Sequence, residues 1–436
     1  MKIALISPKG TFLSADPKFK DFLNDSEQFV NYRYYWSGFN SGLLIIAALT
    51  PNSFDIKFID ENFENIDFNK NYNLVAISAI TQQATRAYQI ADEFRKRGVK
   101  VVIGGIHATV LPEEAKQHAD SVIVGEGEET WPRFIEDFLN NNLQPFYRST
   151  NPVDLTKSPI PRYDIVKPGN YKMAWIQASR GCPRDCEFCA ASNVYGFKYR
   201  HKTIDQVIKE VSYIKNIFKR SIQIGFADDN MFTNQRYSMA LVKRLLPLNV
   251  RWFAQTDVSI ADNESFLELL RQSGCTLLFI GFETLSGKTL KSLDRTNWKI
   301  KQIEKYPNII KTIQSYGIGV MGAFIIGFDN DDTSVFKKLA DFIINNHLYA
   351  AQVTILTPLP GTRLRRRLEE EKRILSYNWS DYSMCNITFS PKRMSAQELQ
   401  DGFLEIYQQI YSKEVYFKKA EHFKEIYADL LTKDKK

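Results

Sequence analysis

Cysteine and histidine are scarce: the 436-residue sequence holds five of each, and no cysteine precedes Cys182. Five cysteines are too few for a disulfide framework, and three of them, Cys182, Cys186 and Cys189, fall within eight positions. That pattern excludes a crosslinked secreted fold. It leads us to expect a metal site in a reducing, cytoplasmic setting. Long apolar runs are also missing. Leu43 to Leu49 is the longest near the N-terminus, far short of the roughly 18–20 residues that span a bilayer. The opening Met1-Lys2-Ile3-Ala4-Leu5-Ile6-Ser7-Pro8 lacks the length and cleavage site of a signal peptide and reads as a buried strand entering a loop. Charge of one sign is not segregated. The 57 basic and 50 acidic residues give +7, interspersed, with no appended basic domain to suggest nucleic acid. The most basic run, Arg363 to Arg373, also contains Glu369, Glu370 and Glu371 and reads as a solvated helix face. No internal repeat or low-complexity stretch is visible.

What is present alternates. Over the first 144 residues, short apolar runs (Ile3 to Ile6, Asp55 to Ile59, Leu74 to Ile77, Val99 to Ile103, Ser121 to Val124) are separated by amphipathic stretches such as Ala84 to Arg97. This spacing predicts a parallel sheet covered on both faces, a doubly wound Rossmann-like α/β domain with its ligand crevice at the carboxyl ends of the strands. Residues 145–172 carry Pro145, Pro152, Pro159, Pro161 and Pro168 and read as an extended linker. Within it, Pro161-Arg162-Tyr163 can lie against a neighbouring domain. A second series follows over 173–390. Strands are predicted at Ala174 to Ala178, Ser221 to Phe226, Val250 to Gln255, Leu277 to Gly281, Gly319 to Ile326 and Gln352 to Leu356, with helical patterns between them. Six βα units predict a partial (β/α)6 barrel with its chemistry at the carboxyl ends of the strands. Residues 391–436 read as a helical C-terminal region, with Leu399, Phe403, Ile406, Tyr407 and Ile410 on one face; it is either a packing helix or a lid.

The segment that carries chemistry is Ser179-Arg180-Gly181-Cys182-Pro183-Arg184-Asp185-Cys186-Glu187-Phe188-Cys189, placed just after the first strand of the second series. Thiolates are soft ligands for zinc or iron–sulfur clusters. A structural zinc needs four ligands, and the remaining Cys275 and Cys385 stand at a predicted strand start and in a late loop. Three thiolates on one loop hold three irons of a cubane and leave a fourth open, and an open position is what metal chemistry needs.

Cys-x3-Cys-x-aromatic-Cys after the first strand of a βα barrel resembles the radical S-adenosylmethionine (SAM) superfamily. The resemblance implies a [4Fe–4S] cluster on Cys182, Cys186 and Cys189, with SAM as cofactor and source of a 5′-deoxyadenosyl radical. It also implies a SAM site built from Phe188, Asp228 and Asp229 (in Phe226-Ala227-Asp228-Asp229-Asn230), Gln255, Asp257, Glu283, Gly322 and Gly327. Thr357-Pro358-Leu359-Pro360-Gly361-Thr362 resembles a late loop of the same subgroup. The doubly wound domain ahead of the barrel is similar to the cobalamin-binding subgroup, which implies cobalamin near Ser78, Thr81, Gly104, Gly105, His107, Gly125, Glu126 and Gly127. One departure is plain: the Asp-x-His-x-x-Gly of many cobalamin proteins does not occur, and His107, read as a loop residue near the crevice, has no aspartate two positions before it. The related methylthiotransferases carry three further cysteines in their N-terminal domain, which this chain lacks. The resemblance thus implies cobalamin-dependent methylation of an unactivated carbon. Cyclisation, ring contraction or rearrangement on the same scaffold is the alternative, and a regulatory corrin-binding protein with an inert barrel is the rival from outside enzymology. A small-molecule or lipid-like substrate and a low-potential electron donor such as flavodoxin or ferredoxin would serve it. The aromatic stretch Phe29 to Phe39, with Tyr32, Tyr34, Tyr35 and Trp36, either lines a ligand or packs between domains.

Overall fold

The computed structural model describes residues 1–10, 14, 16–26, 38–218, 222–293 and 297–433, with the side chains of Asn193, Ser292 and Lys433 left aside. Most of the aromatic stretch lies outside these residues. Phe39 lies within them, buried with its ring against Tyr163, Tyr171 and Phe218.

The first sheet contains β1 (Lys2–Ser7), β2 (Asp55–Asp60), β3 (Leu74–Ser78), β4 (Lys100–Gly104), β5 (Ser121–Val124) and β6 (Phe146–Arg148) in the order β2-β1-β3-β4-β5-β6. All its pairings are parallel. β6 lies in the segment read as linker and extends the first sheet past residue 144. A three-residue edge strand has too little hydrophobic pattern to register among prolines. Because successive side chains in a strand face opposite ways, β1 feeds two cores. Ala4 and Ile6 join Val75, Ile77 and the helix Ala84–Lys96. Ile3 and Leu5 join a cluster that continues through the helices Ser41–Leu49 and Gly127–Leu139 into the second half of the chain. The two halves therefore share one hydrophobic core, and Tyr163 of the linker is fully buried in it with its hydroxyl donating to Glu210 at 3.3 Å.

The second sheet runs β7 (Met173–Ile176), β10 (Gln223–Phe226), β11 (Trp252–Thr256), β12 (Cys275–Glu283), β13 (Gly319–Ile326) and β14 (Ala350–Ile355), each parallel to its neighbour. It is a curled half-barrel, and among the described residues β14 does not close onto β7. A two-stranded ribbon, β8 (Ser179–Arg180) with β9 (Arg200–His201), sits between β7 and β10 in sequence. On the half-barrel strands, half-exposed positions alternate with buried ones: Trp175, Gln255, Phe279, Ala323, Ile325, Gln352 and Thr354 mark an open inner face. The helix Ala396–Ile410, opened by a Ser395–Glu398 capping box, is a packing helix. Tyr407 and Tyr411 donate hydroxyls to Val353 and Ala351 of β14 at 2.9 and 2.8 Å, so the helix covers a sheet edge that would otherwise expose unpaired carbonyls. No helix among the described residues is long and apolar enough to cross a membrane.

Candidate active site

The cysteine loop leaves and rejoins the body of the protein through the β8–β9 ribbon, which staples its two ends. Gly181 makes the turn into it at φ +91°, and a Cβ there would stand 2.3 Å from the Lys198 carbonyl oxygen. Only glycine accepts both conditions. The Asp pair after β10 braces this entry. Asp228, with no exposed surface, accepts from the Ala178 amide at 3.0 Å and from the Ser179 hydroxyl. Asp229 accepts from the Gly181 amide at 2.9 Å. Asp228 was expected to meet SAM; its two oxygens are instead committed to the loop, which a fully buried carboxyl requires. Asp229 lies close enough to the thiols of Cys182 and Cys189 to affect their charge.

None of the five cysteines forms a disulfide. Cys275 and Cys385 are buried, while Cys182, Cys186 and Cys189 are partly exposed. Burial pushes the Cys182 thiol up to about 11 and Cys186 up to about 12, and raises Cys189 as well. Thiols so placed become thiolates when a cation compensates their charge, so metal uptake here releases protons. Among the described residues no three His, Cys, Asp or Glu side chains converge on a single ion. Three thiols on one loop are soft donors of the kind an iron–sulfur cluster takes.

The charged residues between the cysteines are each anchored elsewhere. Arg184 donates to Asp257 at 2.9 Å, beyond β11, and lies 3.7 Å from the Trp298 ring centre. Asp185 accepts from Arg363 at 2.6 Å and Glu187 from Arg367 at 2.7 Å. Arg365 is buried and bonds Glu369 and Tyr382. The run Arg363 to Arg373 thus has a solvated face, with Arg366, Glu369, Glu370 and Lys372 exposed, and an inner face whose Arg363 and Arg367 clamp the cysteine loop. The partners of Arg363 and Arg367 on the loop lie 178 and 180 residues away in sequence, out of reach of any local pattern. Asp257, also expected at SAM, is taken up by Arg184, Asn230 and Ser259. Burial alone would raise its carboxyl, yet Ser259 and Arg184 hold it below the usual range.

The other expected SAM residues divide. Phe188 stands edge-on to Phe328, 6.3 Å between centroids, one residue beyond Gly327. Gly327 turns at φ +93° and donates its amide to Asp331 at 3.0 Å. Gln255 is half-exposed on the inner face. Glu283 ends β12 at φ +67° and accepts from the buried Lys299 at 2.5 Å. Burial would lower that ammonium, but Glu283 and the nearby Cys186 hold it above its ordinary value. Sequence reading missed Lys299, which follows no strand end. Gly322 faces the other way, where a Cβ would meet Phe324 at 2.6 Å and Leu348 at 3.2 Å, so it makes room in the outer packing and Ala323 is its neighbour on the inner face. A cavity of about 320 Å³, in the range of small-molecule sites, opens beside Glu283 and Ile325, lined also by Thr284, Ser286, Asn330 and Asp331.

At the first sheet, Ser78, Gly104 and Gly125 close adjacent strands β3, β4 and β5, with Thr81 buried in the turn after β3. Gly105 packs so tightly that a Cβ would stand 2.8 Å from the Ala79 carbonyl oxygen, and Gly127 lies against Ile46. Two glycine-bearing turns, after β4 and β5, lie side by side next to the Ser78–Thr81 turn, an arrangement that suits a large ligand such as a corrin. Two side chains expected there are engaged elsewhere. His107 lies in a helix, Ile106–Val110, not a loop. It is buried against Trp379, with Nε2 3.4 Å from Glu114. Glu126 spends both oxygens on Arg180, Arg200 and the Val153 amide.

Comparison with known proteins agrees with this arrangement. Family models match for the radical SAM superfamily over residues 176–343, the B12 binding domain over 33–135 and a domain of unknown function (DUF4070) over 362–436. The chain is 30% identical to bacteriochlorophyllide d C-12(1)-methyltransferase of Chlorobaculum tepidum over 87% of its own length and 84% of that protein's. It is 24% identical to the anaerobic magnesium-protoporphyrin IX monomethyl ester cyclase of Cereibacter sphaeroides, covering 88% and 67%. Its fold matches the cobalamin-dependent SAM radical enzyme OxsB at a TM-score of 0.70 and 14% identity, covering 97% of this chain and 71% of that one. A [4Fe–4S] cluster, SAM and cobalamin are the cofactors that go with these two domains. The chain belongs to the radical SAM superfamily, as an enzyme of the group that carries a B12-binding domain ahead of its barrel.

Proposed function

We propose that this enzyme methylates an unactivated carbon of a small, largely neutral molecule. When bound, the cluster supplies the electron that cleaves SAM to a 5′-deoxyadenosyl radical, and cobalamin carries the methyl group. Cys182, Cys186 and Cys189 would hold the cluster. Asp229, Gln255, Glu283, Phe188 and the Gly327 turn would receive SAM, with the cavity beside Glu283 taking its nucleoside. The turns at Ser78, Thr81, Gly104–Gly105 and Gly125–Gly127 would carry the corrin by backbone contact. The clamps on Arg184, Asp185 and Glu187 keep the loop from yielding.

The observation that carries this reading is contact between the two candidate cofactor sites: Glu126, after β5, bonds Arg180, two residues before Cys182. The methyltransferase likeness over most of both chains points the same way. For the substrate, the support is the inner face. Of its half-exposed strand residues only Glu283 is charged, and Lys299 neutralises it. A low-potential flavodoxin or ferredoxin would supply electrons. The cyclase relative keeps a second reading in view, cyclisation or rearrangement without methyl transfer.

The test needs no substrate in hand. Anaerobically reconstituted enzyme with SAM, a reductant and hydroxocobalamin should release both 5′-deoxyadenosine and S-adenosylhomocysteine, the latter only with cobalamin. 5′-Deoxyadenosine alone would turn the assignment to cyclisation or rearrangement.

A further inference from the structure

Four charged side chains meet where the first domain touches the cluster loop, and all are nearly removed from water. Arg180, Glu126, Glu128 and Arg200 keep 7, 7, 8 and 9% of their side-chain surface. Arg180 donates through Nη1 to Glu126 at 2.8 Å and pairs through Nη2 with Glu128 at 2.6 Å, while its Nε reaches Gln177 at 2.6 Å. Arg200, in the ribbon strand facing Arg180, donates to both Glu126 oxygens and to the Val153 carbonyl. Glu128 also accepts from Ser158. Buried charges persist only when paired and fully hydrogen-bonded, and the planar five-donor fork of arginine makes that possible at Arg180.

The placement matters as much as the pairing. Glu126 and Glu128 flank Gly127 where the turn after β5 enters the helix Gly127–Leu139, at the crevice end of the first sheet. Gly125, on the same turn, stands at φ +91° with its amide donated to Thr109. The carboxylates of Glu126 and Glu128 point to the loop. On the other side, Arg180 is followed by Gly181 and Cys182, and the Gly181 amide is fixed by Asp229. Any shift of the turn is therefore transmitted to the first cluster ligand through two short ion pairs.

We propose that Arg180 is a positioning residue that couples corrin binding on the β5 turn to the order of the cluster loop, so that each cofactor site tightens the other. This rests on the cobalamin assignment above. Linkage of this kind is reciprocal, and it can be read without any activity.

The full-length protein is prepared cluster-free, by chelation, and with its cluster reconstituted, and hydroxocobalamin affinity is measured for each by equilibrium dialysis with cobalt analysis. The expected result is tighter binding by about fivefold or more when the cluster is present, and loss of that difference in Arg180→Gln. Glu128→Gln, which keeps its volume and its Ser158 contact, carries the same expectation and serves if Arg180→Gln does not fold by circular dichroism. As the reciprocal readout, cyanocobalamin should slow alkylation of Cys182 in the cluster-free wild type and leave it unchanged in the variant. Equal affinity with and without the cluster in the wild type, or a difference that survives in the folded variants, overturns the coupling while leaving the cofactor assignment intact. Absence of any cobalamin binding by the wild type overturns both.

Discussion

Arg184, between the first two cysteines, is held from two sides, by the Asp257 carboxylate at 2.9 Å and by the face of Trp298 at 3.7 Å. A guanidinium stacked on an aromatic ring while its fork meets a carboxylate is a strong anchor. Here it fixes a loop that must keep three thiols in register. Removing Asp257 should leave the thiols in place and the loop under-determined. We expect Asp257→Ala to retain iron but lower 5′-deoxyadenosine formation per iron about 10- to 100-fold, the range found for partners one step removed from a metal. Iron analysis with product quantification by mass spectrometry checks this, and an unchanged rate per iron rules it out.

Gly181 gives a second expectation. Its φ of +91° and the Lys198 carbonyl oxygen, which would stand 2.3 Å from a Cβ, leave no room for a side chain. Gly181→Ala should cost about 1–2 kcal/mol from the left-handed backbone alone, and more from the clash, all of it at the mouth of the loop. Iron uptake should fall sharply while the far-UV circular dichroism of the barrel persists. Cys275→Ala, in the buried core at the start of β12, should keep its iron. Equal iron in both variants would show that the turn does not govern the loop.

Much of this was legible in sequence because parallel strands buried on both faces are near-continuous apolar runs and their helices are strongly amphipathic. The run Gly319 to Ile326 has in the structure the ends its pattern predicts, and the amphipathic stretch Ala84 to Arg97 is the helix Ala84–Lys96. The cysteine loop was legible because its three thiols are local in sequence. The clamps were not. Arg363 and Asp185, Arg180 and Glu128, Lys299 and Glu283 are pairs made by tertiary proximity, and a charged residue looks the same in sequence whether its partner is water or a carboxylate. Asp228 and Glu126 were read as ligand contacts for the same reason. Their positions at strand ends are right for a site, and only the structure shows that their oxygens are already used.

His107 bears on the corrin. A protein imidazole below cobalt would have to be exposed in the crevice, whereas this ring is 1% exposed and packed on Trp379. His107→Phe should therefore leave bound cobalamin spectrally unchanged. It should cost on the order of 1 kcal/mol for the lost interaction with Glu114. The cob(II)alamin electron paramagnetic resonance spectrum of wild type and variant is the measurement. Loss of nitrogen superhyperfine structure in the variant would make His107 a cobalt ligand after all.

Asp228 predicts a pH dependence that belongs to the fold and not to the chemistry. Burial pushes its carboxyl up to about 7, against the pull of the Ser179 hydroxyl and the Ala178 amide, with Asp229 adding repulsion. Asp229 is itself raised by burial. Between about pH 4, where an unfolded aspartate titrates, and about pH 7, the native state holds a proton that the unfolded chain has released. Raising pH through that window therefore removes stability, by up to about 1.4 kcal/mol per pH unit from this one group. Below the window both states are protonated and above it both are ionised, so the slope from Asp228 vanishes. Asp228→Asn is neutral throughout and offers one acceptor and one donor to the same neighbours. Denaturant midpoints of cluster-free protein at pH 5 and pH 7 should fall with pH more steeply in the wild type than in Asp228→Asn. Parallel slopes would mean that Asp228 is ionised in the native state at pH 5, its buried charge held by the Ser179 and Ala178 hydrogen bonds.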